Sequence, residues 1–427
     1  MKKSFNIKLF YRLLGFTKPY KLNFIFVSIS AIIISFFSIL NQYFLKIAVD
    51  EYITPKDYLG LINVIILMVT ILCFQVIFQF LFIFFTNLLG QKVVFDLRTK
   101  LFRTIIKFKM SYYDKSSVGR LVTRTVSDME TIASIFSQGL FMIFADLILM
   151  FSVLAVMVVL SIELSLIILV ILPFVMIATR LFQRAMKVAF NEVRSEIANL
   201  NSFVQERLSG IKEIQIFNRQ KIESKNFEKI NERHKRAWLK TVWYNSIFFP
   251  IAEISISVSV GLIVWYAGSN IIKLDNFVSL GTIFLFIQLS QMLFRPLRQI
   301  ADKFNTLQMG MVAAKRVFEI LDSNYYINDS GNINSNHLNG DIKFENVNFS
   351  YTKNNNVLND INLTIKKGEK IAIVGATGSG KSTIIKLIMR LYDIKDGEIK
   401  INNKKIKNFK LSDLRSSISL VNQDIFL

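Results

Sequence analysis

A glycine-rich segment, residues 375–383, has the residue types and the spacing that bind phosphate. It reads Gly-Ala-Thr-Gly-Ser-Gly-Lys-Ser-Thr and fits the pattern G-x-x-x-x-G-K-S. Glycines let backbone N–H groups approach phosphate oxygens without a Cβ in the way. Lys381 supplies a positive charge to the β- and γ-phosphates, and Ser382 offers a hydroxyl ligand to Mg²⁺. The pattern therefore predicts a site for a nucleoside triphosphate, ATP, together with Mg²⁺.

The same segment is predicted to join a strand to a helix, as a phosphate-binding loop requires. Residues 371–374 are four consecutive apolar residues, which is typical of a buried parallel strand, and residues 383–392 have the apolar spacing of a helix. A glycine-rich turn without function is the alternative, and the strand–loop–helix order makes it much the weaker one. The predicted nucleotide contacts of the loop are Gly375, Thr377, Gly378, Ser379, Gly380, Lys381, Ser382 and Thr383.

The remainder of the chain is too apolar for a soluble protein of this size. Hydrophobic residues make up 52% of the 427 residues, and the mean hydropathy is +0.41. Six nearly uncharged runs have the length of a membrane-spanning helix, and a buried core helix is a reasonable alternative for one such run but not for six in series. The predicted spans cover about residues 22–45, 60–90, 136–161, 164–182, 242–268 and 277–298.

Two ionisable residues, Asp146 and Glu253, interrupt the third and fifth apolar runs. Such residues usually face the interior of a helix bundle or an aqueous cavity, so they are candidates for a substrate pathway. A local hydrogen bond to a neighbouring helix explains them equally well. The sequence leaves both interpretations open.

Lys and Arg residues are distributed unevenly between the loops. The segment before the first span and the loops after the second and fourth spans are strongly basic, whereas the alternate loops contain only Lys46, Lys56 and Lys273. Basic loops face the cytoplasm. We therefore predict a multi-pass protein of the cytoplasmic membrane with both ends in the cytoplasm. The net charge of +21 is explained by this bias and by contact with anionic membrane lipid, and no nucleic-acid motif is present.

Further segments occur in a fixed order around the phosphate loop. They are residues 12–20, 110–114, 118–124, 214–219, 294–298, 313–322, 344–351 and 421–424. In this order they resemble the elbow helix, first coupling helix and return arm, second coupling region, end and exit of helix 6, entry strand and Q-loop of type IV ABC exporter half-transporters. This family comprises bacterial multidrug and lipid exporters, and the resemblance covers essentially the whole chain.

The resemblance implies an all-α membrane domain of six helices with long cytoplasmic extensions over residues 1–320. A linker would cover residues 321–340, and residues 341–427 would form the N-terminal part of an α/β nucleotide-binding domain. Tyr351, which follows an alternating strand, would stack on adenine. Gln423, which follows a predicted short strand at residues 418–421, would contact ATP and Mg²⁺.

The implied function is ATP-driven export of a hydrophobic or amphipathic substrate, a drug or a lipid, by alternating access. The implied partner is a second half-transporter subunit, in a homodimer or a heterodimer. The family's signature segment, its Asp-Glu pair and its switch histidine do not occur in the 427 residues. We therefore assign no catalytic base and expect these residues alone not to hydrolyse ATP. The alternatives are a truncated fragment without function and a regulatory or channel protein without transport.

Cysteine labelling in intact cells tests the predicted orientation. With Cys73 replaced by alanine, Tyr52→Cys and Asn270→Cys are expected to react with an impermeant maleimide, because both positions lie in loops poor in Lys and Arg. Ser117→Cys and Ser224→Cys are expected to react only after the cells are opened. Reaction of Ser117→Cys from outside contradicts the six-helix topology.

Overall fold

The computed structural model describes residues 6–272, 279–334, 338–352 and 356–421. The chain forms two compact units, and each is built from two separate stretches of sequence. The first unit comprises Met1–Val93 and Thr131–Val312, and the second comprises Val94–Glu130 and Ala313–Leu427. Residues 94–130, which the resemblance places in the membrane domain, are thus grouped with the nucleotide-binding region.

Six long helices overlap the six predicted spans, and each is long and apolar enough to cross a membrane. They are α2 (Lys21–Ile47), α3 (Tyr58–Ile105), α7 (Phe141–Leu160), α8 (Ile162–Ser209), α10 (Gln220–Ile272) and α11 (Leu280–Leu321). The shorter helices are α1 (Ile7–Gly15), α4 (Met110–Lys115), α5 (Val118–Thr125), α6 (Ser127–Ser134), α9 (Ile211–Ile216), α12 (Lys381–Ile388) and α13 (Leu411–Ser416). The predicted all-α membrane domain is confirmed.

Four of the long helices continue well past the apolar runs. Helices α3 and α8 have 48 residues each, α10 has 53 and α11 has 42. A span needs only about 20 residues, so much of each helix is polar and extends beyond the hydrocarbon. The predicted helical extensions of the spans are confirmed.

Apolar side chains on α7, α8, α10 and α11 form the core of the first unit. Fully buried members include Val153, Met157, Ile168, Ile263 and Phe286. The turn between α7 and α8 is a single residue, Ser161, whose Oγ accepts a hydrogen bond from the Leu164 N–H at 3.4 Å. This N-cap explains how two apolar helices reverse direction so sharply.

Ion pairs join α8 to α10 outside the predicted spans. Glu223, which is 9% exposed, accepts a hydrogen bond from Arg207 Nε at 2.7 Å and pairs with Arg219 at 3.3 Å. Further along the two helices, Lys240 pairs with Glu192 at 2.8 Å. The hydrogen bond from Arg207 holds the pKa of Glu223 below its ordinary value. Carboxylates therefore hold the polar parts of α8 and α10 together.

The second unit contains a small antiparallel sheet. Its strands are β1 (Ile342–Phe349), β2 (Leu358–Ile365), β3 (Asp396–Ile401) and β4 (Lys404–Lys405), in the order β2-β1-β3-β4. Phe344, Val347 and Leu358 from the sheet pack against Leu387 of α12 and Phe409. The sheet is consistent with the start of an ABC-type nucleotide-binding domain.

Two predicted strands are wrong for this structure. Residues 371–374 and 418–421 have no regular structure, and Val374 and Val421 are 87% and 88% exposed. A strand is held by hydrogen bonds to a neighbouring strand. Among the described residues no strand pairs with either segment, so an apolar sequence alone does not make one. Helix α12 is confirmed, although it ends at Ile388 instead of continuing to residue 392.

Replacing Glu223 tests the ion-pair contact between α8 and α10. Glu223→Gln is expected to speed amide hydrogen exchange in α9 and the adjoining helix ends, because Arg207 and Arg219 lose their shared carboxylate. Lowering the pH is expected to speed amide hydrogen exchange in the same residues. The folded-state pKa of Glu223 is lowered, so its contribution to stability is complete above pH 4.5, its ordinary pKa, and is lost as the pH falls through the folded value.

Glu232→Gln is the matched control, because the partners of Glu232, Lys235 and Arg236, lie on the same helix. It should leave exchange in α9 unchanged. Equal exchange in the wild type and in Glu223→Gln contradicts the proposed role of the carboxylate.

Candidate functional site

Two glycines of the phosphate loop adopt backbone conformations that other residues rarely adopt. Gly378 and Gly380 have φ values of +88° and +92°, in the left-handed region. A Cβ on Gly380 would lie 2.6 Å from the Leu358 side chain, whereas a Cβ on Gly378 would meet nothing within 4 Å. Gly380 therefore packs the loop against β2, and the space beside Gly378 is open to a ligand.

Lys381 and the start of α12 both direct positive charge at this loop. Lys381 Nζ donates hydrogen bonds to the carbonyl oxygens of Gly375 and Ala376, at 2.9 and 2.8 Å. The helix begins at Lys381, and the first N–H groups of a helix have no partner within it. A helix N-terminus beside a lysine suits a polyphosphate.

The other predicted loop contacts divide into exposed and buried residues. Gly375, Thr377, Gly378, Ser379 and Ser382 are exposed. An accessible Ser382 hydroxyl fits the role of a Mg²⁺ ligand. Thr383 is 5% exposed, and its Oγ1 lies 3.1 Å from the Tyr351 hydroxyl, so its side chain serves the positioning of Tyr351. The donor set fits ATP with Mg²⁺, and the individual contacts remain predictions.

Tyr351 lies beside the first turns of α12. Its ring packs edge-on against Phe349 and Tyr392, with centroid distances of 4.8 and 5.1 Å. Lys386 Nζ lies 5.6 Å from the ring centroid. The side chain keeps 36% of its surface exposed, so a ring held firmly next to the phosphate loop remains accessible to a base. Gln423, the other residue predicted from the resemblance, lies outside the described residues.

The contact of Tyr392 with α4 is not predictable from the sequence. This residue is 8% exposed, and its hydroxyl donates a 2.8 Å hydrogen bond to Asp114 Oδ2 on α4. Burial, followed by the hydrogen bond to Asp114, raises the pKa of Tyr392, so the phenol stays protonated and remains a donor. In the sequence, Tyr392 only ends an apolar pattern. No local signal indicates a partner 278 residues away.

A second candidate site is a cavity of 510 Å³ inside the first unit. Its polar lining consists mostly of amides and hydroxyls, and its apolar lining is aliphatic and aromatic. The polar side chains include Ser35, Asn41, Gln42, Gln75, Gln79, Arg295 and Gln299, and the apolar ones include Leu72, Phe82, Met142 and Met292. A cavity of this size and mixed chemistry suits an amphipathic molecule.

Asp146 lines this cavity and also has a partner on a neighbouring helix. Lys303 Nζ of α11 donates a 2.5 Å hydrogen bond to Asp146 Oδ2, and both side chains are 17% exposed. The contact of Asp146 with a neighbouring helix is therefore observed, and its role in a substrate pathway stays a prediction. Glu253 is exposed and lines a second cavity of 570 Å³, which shares Arg295 and Gln299 with the first. The sequence does not predict the pairing of Lys303 with Asp146, because Lys303 lies beyond the sixth predicted span.

Comparison with known proteins places both regions of the chain in one family. The family model described as ABC transporter transmembrane region matches residues 24–297, and the family model described as ABC transporter matches residues 358–427. An uncharacterized ABC transporter ATP-binding protein of Bacillus subtilis, YknV, is 30% identical over the whole chain and 71% of its own length.

Two further relatives carry names that indicate transport. The ATP-dependent lipid A-core flippase of Wigglesworthia glossinidia brevipalpis is 31% identical over the whole chain and 73% of its own length. The probable multidrug resistance ABC transporter ATP-binding/permease protein YheH of Bacillus subtilis is 28% identical over 86% of the chain and 55% of its own length. The chain therefore belongs to the ABC transporters, with the six membrane helices and following ATP-binding region of a type IV exporter half-transporter.

Proposed function

We propose that this protein uses ATP to export a hydrophobic or amphipathic molecule, a drug or a lipid, across the cytoplasmic membrane. The observation that carries this proposal is the 510 Å³ cavity among the spanning helices, which is lined by both amide side chains and aliphatic and aromatic ones. Such a lining suits a molecule with one polar and one apolar part. The names of two relatives, a lipid A-core flippase and a multidrug resistance transporter, support the same substrate class.

The residues of the chain have separate tasks in the proposed cycle. The glycine-rich loop and Lys381 hold the phosphates, Tyr351 holds the base, and Ser382 offers a ligand to Mg²⁺. Mg²⁺ when bound neutralises phosphate charge, and Gln423 is the second predicted contact for it. We assign no residue of the described chain as catalytic base.

A second half-transporter subunit completes the proposed assembly. The chain supplies one phosphate loop, so a dimer supplies two. In the proposed cycle, closure of the two nucleotide-binding regions makes the membrane helices open alternately to the inside and to the outside of the membrane. The excess of Lys and Arg in the basic loops supports a cytoplasmic position for these regions and for both ends. A channel or regulatory protein without transport is the alternative, and it predicts ATP-dependent currents without substrate uptake into vesicles.

Lys381→Ala in both subunits of the assembled transporter is expected to weaken binding of a fluorescent ATP analogue by roughly 10- to 100-fold, the effect of losing a hydrogen bond to a charged group. Lys370→Ala removes an exposed lysine shortly before the loop and is the matched control. Unchanged affinity in Lys381→Ala, or an equal loss in Lys370→Ala, contradicts the assigned role.

Gln75→Leu is expected to raise the KM for transport of an amphipathic substrate by roughly 2- to 10-fold, because one hydrogen-bonding amide is lost from the cavity wall. The control is Asn87→Leu on the same helix, since the exposed Asn87 side chain donates to the Ile83 carbonyl oxygen of its own helix. Equal KM values for the two variants would place the substrate elsewhere.

A further inference from the structure

A chain of contacts inside the second unit leads from the proposed base site to α4. Tyr351 packs edge-on against Tyr392, with ring planes at 88°, and the Tyr392 hydroxyl donates to Asp114 on α4. The distances are 5.1 Å between ring centroids and 2.8 Å from oxygen to oxygen. A movement of the Tyr351 ring therefore reaches Asp114 through one rigid side chain.

The backbone after α12 fixes the position of Tyr392. Arg390 has a left-handed φ of +48°, its N–H bonds to the Leu387 carbonyl, and the Leu391 N–H bonds to the Lys386 carbonyl. These two bonds are those of a Schellman motif, which ends the helix sharply. Tyr392 is the next residue, so its ring is set relative to the same helix that begins at the phosphate loop.

Helix α4 is held firmly at its other contacts. The Lys109 N–H donates to the Tyr325 carbonyl at 2.7 Å, and the Tyr112 ring lies 4.9 Å from the Tyr325 ring. The Tyr113 hydroxyl donates to the Ile105 carbonyl, at the end of α3, at 2.6 Å. Because α4 follows α3 in the chain, a displacement of Asp114 acts on one of the six long helices.

We propose that Tyr392 is a positioning residue that makes α4 respond to nucleotide at Tyr351, by holding Asp114 through its hydroxyl. This inference rests on the proposed nucleotide site. A base stacked on Tyr351 restricts the Tyr351 and Tyr392 rings together, and the bond to Asp114 then restricts α4. If Tyr392 had only a structural role, its buried hydroxyl would need a hydrogen-bond partner and nothing more. Removal of the hydroxyl would then not change how α4 responds to ATP.

The test measures α4 directly in the purified full chain. With Cys73 replaced by alanine, Lys115→Cys places a reporter at the exposed end of α4, and its rate of reaction with a maleimide is measured with and without MgATP. ATP is expected to slow the reaction roughly 2- to 10-fold, the range that one hydrogen bond supports. Affinity for ATP is measured in parallel with a fluorescent analogue.

Tyr392→Phe keeps the ring and removes the hydroxyl, so it is expected to abolish the ATP-dependent change in rate. Because coupling is reciprocal, its affinity for ATP should change by no more than the same factor. Asp114→Ala and the double variant should give the same loss, since both residues serve one bond. Tyr113→Phe is the matched control: it removes a hydroxyl that holds α4 but does not point toward Tyr351.

A wild-type response to ATP in Tyr392→Phe overturns the proposal, as does an equal loss in Tyr113→Phe, which would mean that α4 has only been loosened. Failure of the wild type to bind ATP at any concentration refutes the nucleotide site, and the role of Tyr392 with it. Binding of ATP without a response that depends on Tyr392 overturns the role of Tyr392 alone.

Discussion

Every backbone N–H and C=O that leaves water must find a hydrogen-bond partner, and this constraint governs both units of the chain. In the first unit the surrounding hydrocarbon offers no partner, so each spanning segment must satisfy its own groups as a helix. The helices then continue into polar sequence, because a helix needs no neighbour to extend. The long helices α3, α8, α10 and α11 therefore join apolar and polar sequence within one continuous element.

The same constraint raises the cost of placing charge among the helices. Asp146 is stabilised by Lys303, and the pair ties α7 to α11 at the edge of the cavity. The remaining polar lining is dominated by uncharged amides and hydroxyls, which bind polar groups without requiring a counter-charge. A cavity built in this way can hold chemically varied amphipathic molecules, which fits an exporter of drugs or lipids.

Structural features that depend on local interactions can be predicted from the sequence, whereas features that depend on distant partners cannot. Apolar run length and helical spacing predict the six helices and their extensions, since the hydrogen bonds of a helix lie within four residues. The strand predictions at residues 371–374 and 418–421 are wrong because a strand depends on a partner that local sequence does not specify. The phosphate loop is predictable because its glycines and Lys381 lie within one segment, residues 375–381. The partners of Asp146 and Tyr392, 157 and 278 residues away in the chain, are set by tertiary packing.

In the proposed cycle an amphipathic substrate occupies the cavity between the spanning helices and leaves it when ATP binds. Photoaffinity labelling with a light-activated amphipathic substrate, followed by peptide mapping, shows which residues the substrate contacts. We predict labelled residues on the cavity side of α2, α3 and α11, near Asn41, Gln75 and Met292, with labelling that falls when MgATP is added. Labelling confined to the outward face of α3, around the exposed Phe80 and Phe84, and insensitive to ATP would contradict the proposed cycle.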